Sequence, residues 1–236
     1  MSADQFAAFA KAADHPRERE YGPIFVFLGK TGVRPSEAIA PLPSDIDEGK
    51  RKVRINKVYL LNAGRMRPYT KTGVARPVDL STELCDLLLR HRAQVQQEWA
   101  RRRELAFKEG KPVPKTPEML FPNRAGNQID SNNAADAFHR ICRKANIGRF
   151  RPYALRHTFA TLHLAQGAPT TYVASQLLHV LAHFGEIFSH GFSHGIQAPQ
   201  QTTGRLESIL ATEKVHSSPV CSPAAQNLVT SSFRPR

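Results

Sequence analysis

The sequence is short of cysteine, of acidic residues and of long apolar runs, and each shortage excludes a class of protein. Its three cysteines, Cys85, Cys142 and Cys221, stand far apart with no C-x-x-C pair. That leaves no disulfide framework and no zinc ribbon, and it fits a reducing compartment. No stretch approaches the roughly 18 consecutive apolar residues of a membrane span. Residues 1–13 are mixed in character and do not read as a secretory signal. Acidic residues are outnumbered 20 to 33 by Lys and Arg, for a formal charge of +13 and a pI near 10.1. So strong a bias concerns partners rather than fold: nucleic acid first, then an anionic membrane surface, then a ribosome-like assembly. The expected location is the cytoplasm, in association with the nucleoid.

What is present supports a folded domain. Hydrophobic residues make up 41% of the 236 positions, enough for a core. Ser2-Ala3-Asp4-Gln5 is a capping-box pattern opening a short helix with Phe6, Phe9 and Ala10 on one side. Residues 21–30 form an apolar helix that Gly32 is placed to end, and Pro35 is placed to start another. Between 51 and 80 the periodicity turns to strands: residues 51–61, 65–70 and 75–80, with turns at 62–64 and 71–73. Ser81 caps a long helix with Leu84, Leu87, Leu88 and Val95 on its apolar side. Arg90, Arg92 and Arg101 to Arg103 coat the other side, as a solvated face or as contacts to a DNA backbone. A polar, proline-rich connection follows, with one short apolar run at Met119-Leu120-Phe121. Helices are expected from Ser131, from about Pro152 to Gly167, and over 170–181. Beyond Gly191, Gln, Ser, Thr and Pro dominate without sustained period. The domain is therefore expected over 1–190, with 191–236 a disordered or degenerate tail.

Arg156 stands out in the helix after Pro152. Leu155, Phe159 and Leu162 share its apolar face. A guanidinium at the start of such a helix needs an anion or water as partner, because burying it alone costs several kcal/mol. Arg34 sits at a helix junction beside backbone N–H groups that also favour an anion. Lys71 falls at a hairpin tip, Tyr153 opens the helix of Arg156, and His179 follows the next helix. Singly, each is an ordinary surface or core residue; together they are the candidate site.

Four segments in order resemble the catalytic domain of the tyrosine recombinases, or phage integrases. Thr31-Gly32-Val33-Arg34-Pro35-Ser36-Glu37 resembles that family's first arginine motif, with Ser44-Asp45-Ile46-Asp47 following in its expected place. Thr70-Lys71-Thr72 with Arg76-Pro77-Val78 resembles its lysine hairpin. Tyr153-Ala154-Leu155-Arg156-His157-Thr158-Phe159-Ala160-Thr161 resembles its second arginine motif, H-x-x-R. Ser175-Gln176-Leu177-Leu178-His179 resembles its L-G-H motif. The resemblance implies an α+β, mainly α fold with a small three-stranded antiparallel sheet. It implies site-specific DNA integration and recombination by strand cleavage and rejoining, on duplex DNA, as a homo-oligomer (a tetramer on DNA). In such a site Arg34 and Arg156 hold the phosphate, Lys71 protonates the leaving oxygen, His179 donates to the phosphate, and Tyr153 hydrogen-bonds nearby. Two guanidinium groups take the place of a metal, and no cofactor or ATP is needed.

The chain departs from the pattern in three places. Tyr153 stands where His or Lys is usual. Leu178 replaces the glycine of L-G-H. The nucleophilic tyrosine belongs at Phe188, and pairing His183 with Phe192 gives the same gap with the same result. No tyrosine follows Tyr172, and a phenyl ring has no oxygen to form a phosphotyrosine. A degenerate or frameshifted element accounts best for these departures, ahead of a Tyr→Phe change or a nucleophile supplied by another protomer. The family's N-terminal DNA-clamping domain is expected to be absent. The expected outcome is impaired cleavage. The rivals are a non-catalytic DNA-binding remnant and an unfoldable pseudogene product. A zinc site at His179 and His183, spaced i, i+4, is a weak alternative with no cysteine near it.

Overall fold

Ser2 starts the first helix, α1 (Ala3–Ala13), by accepting from the Gln5 N–H at 3.2 Å while the Gln5 side chain accepts from the Ser2 N–H at 2.9 Å. The computed structural model describes residues 1–60, 64–70 and 73–177. Phe9 of α1 points at Phe25 of α2 (Gly22–Thr31), and both meet Phe138 of a later helix, with ring centroids 5.1–6.4 Å apart. Edge and tilted contacts of this kind add to the area such rings bury. Nearly every residue of α2 is buried, so α2 is the central helix. Its close neighbours are admitted by glycine: a Cβ on Gly29 would lie 2.2 Å from the Phe6 ring.

Gly32 ends α2 at φ +66°, and its N–H returns to the Leu28 carbonyl at 2.8 Å. The short α3 (Pro35–Ala38) follows, then β1 (Ile46–Asp47), β2 (Lys52–Ile55), β3 (Val58–Leu60), β4 (Arg65–Arg67) and β5 (Arg76–Asp79). A three-stranded antiparallel sheet is present in the order β1-β2-β5. Its members differ from those expected. The expected first strand breaks after Ile55, and the middle of the region pairs with itself as a separate β3–β4 hairpin. The register explains this. Val53 pairs with Val78, both fully buried, and β1 adds Ile46 opposite Val53. In β4, Arg65 and Met66 are exposed, so although Val58 of β3 is buried, β4 has no apolar face to offer the sheet.

Ser81 accepts from the Leu84 N–H and starts α4 (Thr82–Lys108), which lays Leu84 and Leu88 on the core. On its outer side Arg92 pairs with Glu48 and Arg102 with Glu98. The connection after α4 is not a bare linker, because Leu120, Phe121 and Ile129 are buried. Phe121 lies against Phe27 and His91. Asp130 accepts from the N–H groups of Asn132 and Asn133 and caps α5 (Ser131–Lys144), the helix of Phe138. Last come α6 (Ala154–Ala165) and α7 (Thr170–Leu177). These two share a second apolar cluster of Phe159, Ala160, Val173, Ala174 and Leu177. The molecule is mainly helical with small antiparallel sheets, as expected. No helix among the described residues is long and apolar enough to cross a membrane.

Candidate functional site

The site forms where Arg34 and Arg76 meet on one carboxylate, that of Glu37, with the charge of Arg156 close by. Arg34 precedes α3 in extended conformation, and Pro35 takes the first helical position. The Arg34 N–H donates to Glu37 Oε2 at 3.0 Å, and Arg34 Nη1 donates to Glu37 Oε1 at 2.9 Å. The carboxylate that closes the start of the helix thus also aims the arginine. Glu37 is fully buried. Its second partner is Arg76 of β5, whose Nη2 donates to Oε2 at 2.8 Å. Burial alone would raise the Glu37 carboxyl, but the Arg76 guanidinium and the Arg34 N–H outweigh it and hold it below its ordinary value.

Arg156 lies in the first turn of α6 and is 3% exposed. The sequence led us to expect an anion or water as its partner. Instead, Nη1 donates to the Gly32 carbonyl and Nη2 to the Leu177 carbonyl, both at 2.6 Å. Gly32 caps the end of α2, and Leu177 is the last described residue of α7. The Gly32 carbonyl sits at the negative end of its helix, and the two carbonyls together take the place of an anion. Burial, and then the neighbouring charge of Arg34, lower the Arg156 pKa; Tyr153 and Glu37 act in the opposite direction.

The electrostatic sum is unbalanced. Arg34, Arg76 and Arg156 surround a single carboxylate, and the guanidinium groups repel one another in a partly dry site. Carbonyl dipoles relieve this only in part. An anion with several oxygens would relieve the remainder through charge-assisted, bidentate hydrogen bonds. Arg34 keeps its side chain 23% exposed, so the cluster opens to solvent on that side. No Asp or Glu occurs between Gly49 and Val78, and Asp79 at the end of β5 is taken by Lys52 and Gln176.

Of the expected residues, Arg34 and Arg156 are brought together. Tyr153 is at the N-terminal boundary of α6, 45% exposed, with its ring 5.1 Å from that of His157. Burial and the Arg156 charge lower the His157 pKa. Lys71, Leu178, His179, His183, Phe188, Phe192 and the tail 191–236 lie outside the described residues. Beside Lys71, Gly73 at φ +73° donates its N–H to the Thr70 carbonyl, and Thr70 Oγ1 donates to the Val74 carbonyl. Sequence reading assigned no role to Glu37, Arg76, Gln176 or the Gly32 carbonyl. Glu37 carried a usable signal, three residues after Arg34 with proline between, which is capping-box spacing.

Comparison with known proteins identifies the family and the fold. The profile described as "Phage integrase family" matches residues 1–186. The chain is 26% identical over 200 residues to "Tyrosine recombinase XerC-like" of Caldanaerobacter subterraneus subsp. tengcongensis, covering 79% of this chain and 48% of that protein. It is 30% identical over 156 residues to "Tyrosine recombinase XerC" of Bifidobacterium longum, covering 66% and 39%. The chain thus spans about half or less of the length of these relatives. Among solved structures, XerA recombinase superposes with a TM-score of 0.61 at 18% identity, covering 92% of this chain and 66% of that one. XerH site-specific recombinase bound to its difH substrate gives 0.60 at 20% identity, covering 92% and 54%. These two likenesses concern the fold. By its sequence pattern over residues 1–186, the chain belongs to the phage integrase family and carries the tyrosine recombinase catalytic domain.

Proposed function

We propose that this chain acts on duplex DNA as the strand-exchange domain of a site-specific recombinase, with the phosphate-holding half of its site retained and the attacking half lost. The observation that carries this reading is the cluster of Arg34, Arg76 and Arg156 around the one carboxylate of Glu37. A phosphodiester supplies the missing negative charge. Arg34 and Arg156 hold its two nonbridging oxygens, and each such donor is worth about 3 kcal/mol to a transition state that gathers charge there. Lys71 protonates the leaving 5′ oxygen, His179 donates to the phosphate, and Tyr153 hydrogen-bonds at the rim. The attack requires a tyrosine hydroxyl at position 188, whose oxygen would bond to phosphorus as the 5′ oxygen leaves. Phe188 has no such oxygen, so cleavage is impaired. We assign these groups to residues 1–190 and none to 191–236. By family analogy the working form is a tetramer on DNA at the nucleoid. A relative of the same fold, XerH, is bound to a DNA substrate.

Two measurements test this. Affinity for a duplex should fall steeply as salt rises, because bound phosphates release counterions; affinity indifferent to salt defeats the phosphate-holding claim. On a nicked suicide substrate the chain should give no covalent protein–DNA band on a denaturing gel, and Phe188→Tyr should restore one. A band from the unchanged chain defeats the impairment claim. A second reading, a DNA-binding remnant with no chemistry left, is favoured by the absence of any tyrosine after Tyr172. It predicts no band from Phe188→Tyr or Phe192→Tyr.

A further inference from the structure

Arg76 is the one arginine of the cluster to which phosphate holding gives no task. It is 5% exposed, and both edges of its guanidinium are occupied. Nη2 donates to Glu37 at 2.8 Å, and Nε donates to the Gln176 carbonyl at 3.1 Å. Gln176 is itself buried, and its side chain returns to β5: Oε1 accepts from the Asp79 N–H at 2.9 Å, and Nε2 donates to Asp79 Oδ2 at 3.3 Å. The next carbonyl, that of Leu177, takes Nη2 of Arg156. Two successive carbonyls of α7 are therefore gripped by arginines from two different elements, β5 and α6. These bonds fix Gln176 and Leu177 relative to both.

We propose that Arg76 is a positioning residue that locks Gln176 and Leu177 of α7 against the Arg34–Glu37 side of the site, making no phosphate contact itself. The proposal rests on the phosphate-holding reading of Arg34 and Arg156. Arg76 reaches Glu37 and α7 at once, and Glu37 in turn aims Arg34. Its guanidinium already donates to Glu37 on one side and to the Gln176 carbonyl on the other, and it is closed off from the solvent that reaches Arg34. A lysine at this position can neutralise Glu37, but a single ammonium has no second planar edge for the Gln176 carbonyl.

The test compares the full chain with Arg76→Lys, Gln176→Leu, Arg156→Lys and the Arg76→Lys/Arg156→Lys double variant. Hydrogen exchange over 173–177 is read alongside binding of a short duplex across a salt series. Arg76→Lys and Gln176→Leu should each speed exchange there about tenfold while amides of α2 keep their protection. Arg76→Lys should weaken duplex binding about fivefold with the salt slope unchanged. In the Arg156→Lys background the same change should cost less than about twofold, because little remains to be positioned. A salt slope reduced by about one phosphate in Arg76→Lys, or a full fivefold loss in both backgrounds, overturns the proposal. An unchanged chain whose binding ignores salt overturns the phosphate-holding reading instead. The exchange comparison then still decides the lock, which unaltered exchange in both variants would remove.

Discussion

The guanidinium of Arg156 donates to the carbonyl of Gly32, 124 positions earlier in the chain, at 2.6 Å. This bond ties the end of α2 to the start of α6 and holds Arg156 against a residue only two positions before Arg34. The geometry requires a residue at position 32 with no side chain.

Gly32→Ala should therefore be costly. The position has φ +66°, and an added Cβ would lie 2.5 Å from the Phe159 ring and 2.6 Å from Leu177. Left-handed backbone and overpacking together should remove about 2–4 kcal/mol. Urea denaturation measures the loss; a change below about 0.5 kcal/mol would mean that the close approach is not as described.

Arg156 and Arg34 should separate in their effect on stability. Arg156→Met strips the Gly32 and Leu177 carbonyls of their buried donor and should cost about 3 kcal/mol. Arg34→Met leaves Glu37 with Arg76 and removes a part-exposed group, so about 1 kcal/mol is expected. Both should weaken duplex binding and flatten its salt dependence. Thermal melts with salt-series binding check the pair, and equal destabilisation would contradict the different burial of the two sites.

Glu37 should make folding sensitive to acid. Its folded pKa lies below the ordinary 4.5, so its contribution is fully present above that value. It fades as pH falls through and below 4.5, where the unfolded chain takes up the proton first. Glu37→Gln should lose about 3 kcal/mol at neutral pH, because buried Arg76 and part-exposed Arg34 lose their anion. It should also lack that acid-sensitive component, and urea midpoints between pH 7 and pH 3 would show whether it does.

His91 adds a second acid sensitivity in a higher window. Desolvation pushes its pKa down to about 4 from 6.5, opposed in part by a hydrogen bond with the Leu120 backbone. Its Nε2 has no partner among the described residues, and the ring stacks on Phe121. Below pH 6.5 the unfolded chain binds a proton that the folded one refuses, so stability should fall between pH 6.5 and 4 by up to about 3 kcal/mol. His91→Leu should flatten that part of the stability profile. A profile unchanged by the substitution would place the imidazole in contact with water.

The helices were legible because their signals are local. Ser2, Gly32 and Ser81 each act within four residues, and the structure uses them as caps. Arg34 and Arg156, which we propose hold phosphate, stand out through their motif setting. What the sequence concealed is non-local. The sheet's membership follows from which valines are buried, Val53 with Val78, and that depends on packing against α2 and α4 rather than on strand propensity. The partners of Arg156 were concealed for the same reason. Nothing near position 156 announces that two carbonyls from distant parts of the chain will supply its acceptors. Gln176 and Arg76 were visible only as members of quoted motifs, since the bond between them spans 100 positions.

The contact of Phe9 and Phe25 with Phe138 has a consequence for how the protein is made. Helices α1 and α2 cannot bury their aromatic faces until the ribosome has released α5, more than a hundred residues later. The early half of the chain must wait with those rings exposed, a state prone to self-association. Ribosome-bound nascent chains stalled before residue 138 should therefore recruit holding chaperones, and chains stalled well beyond it should release them.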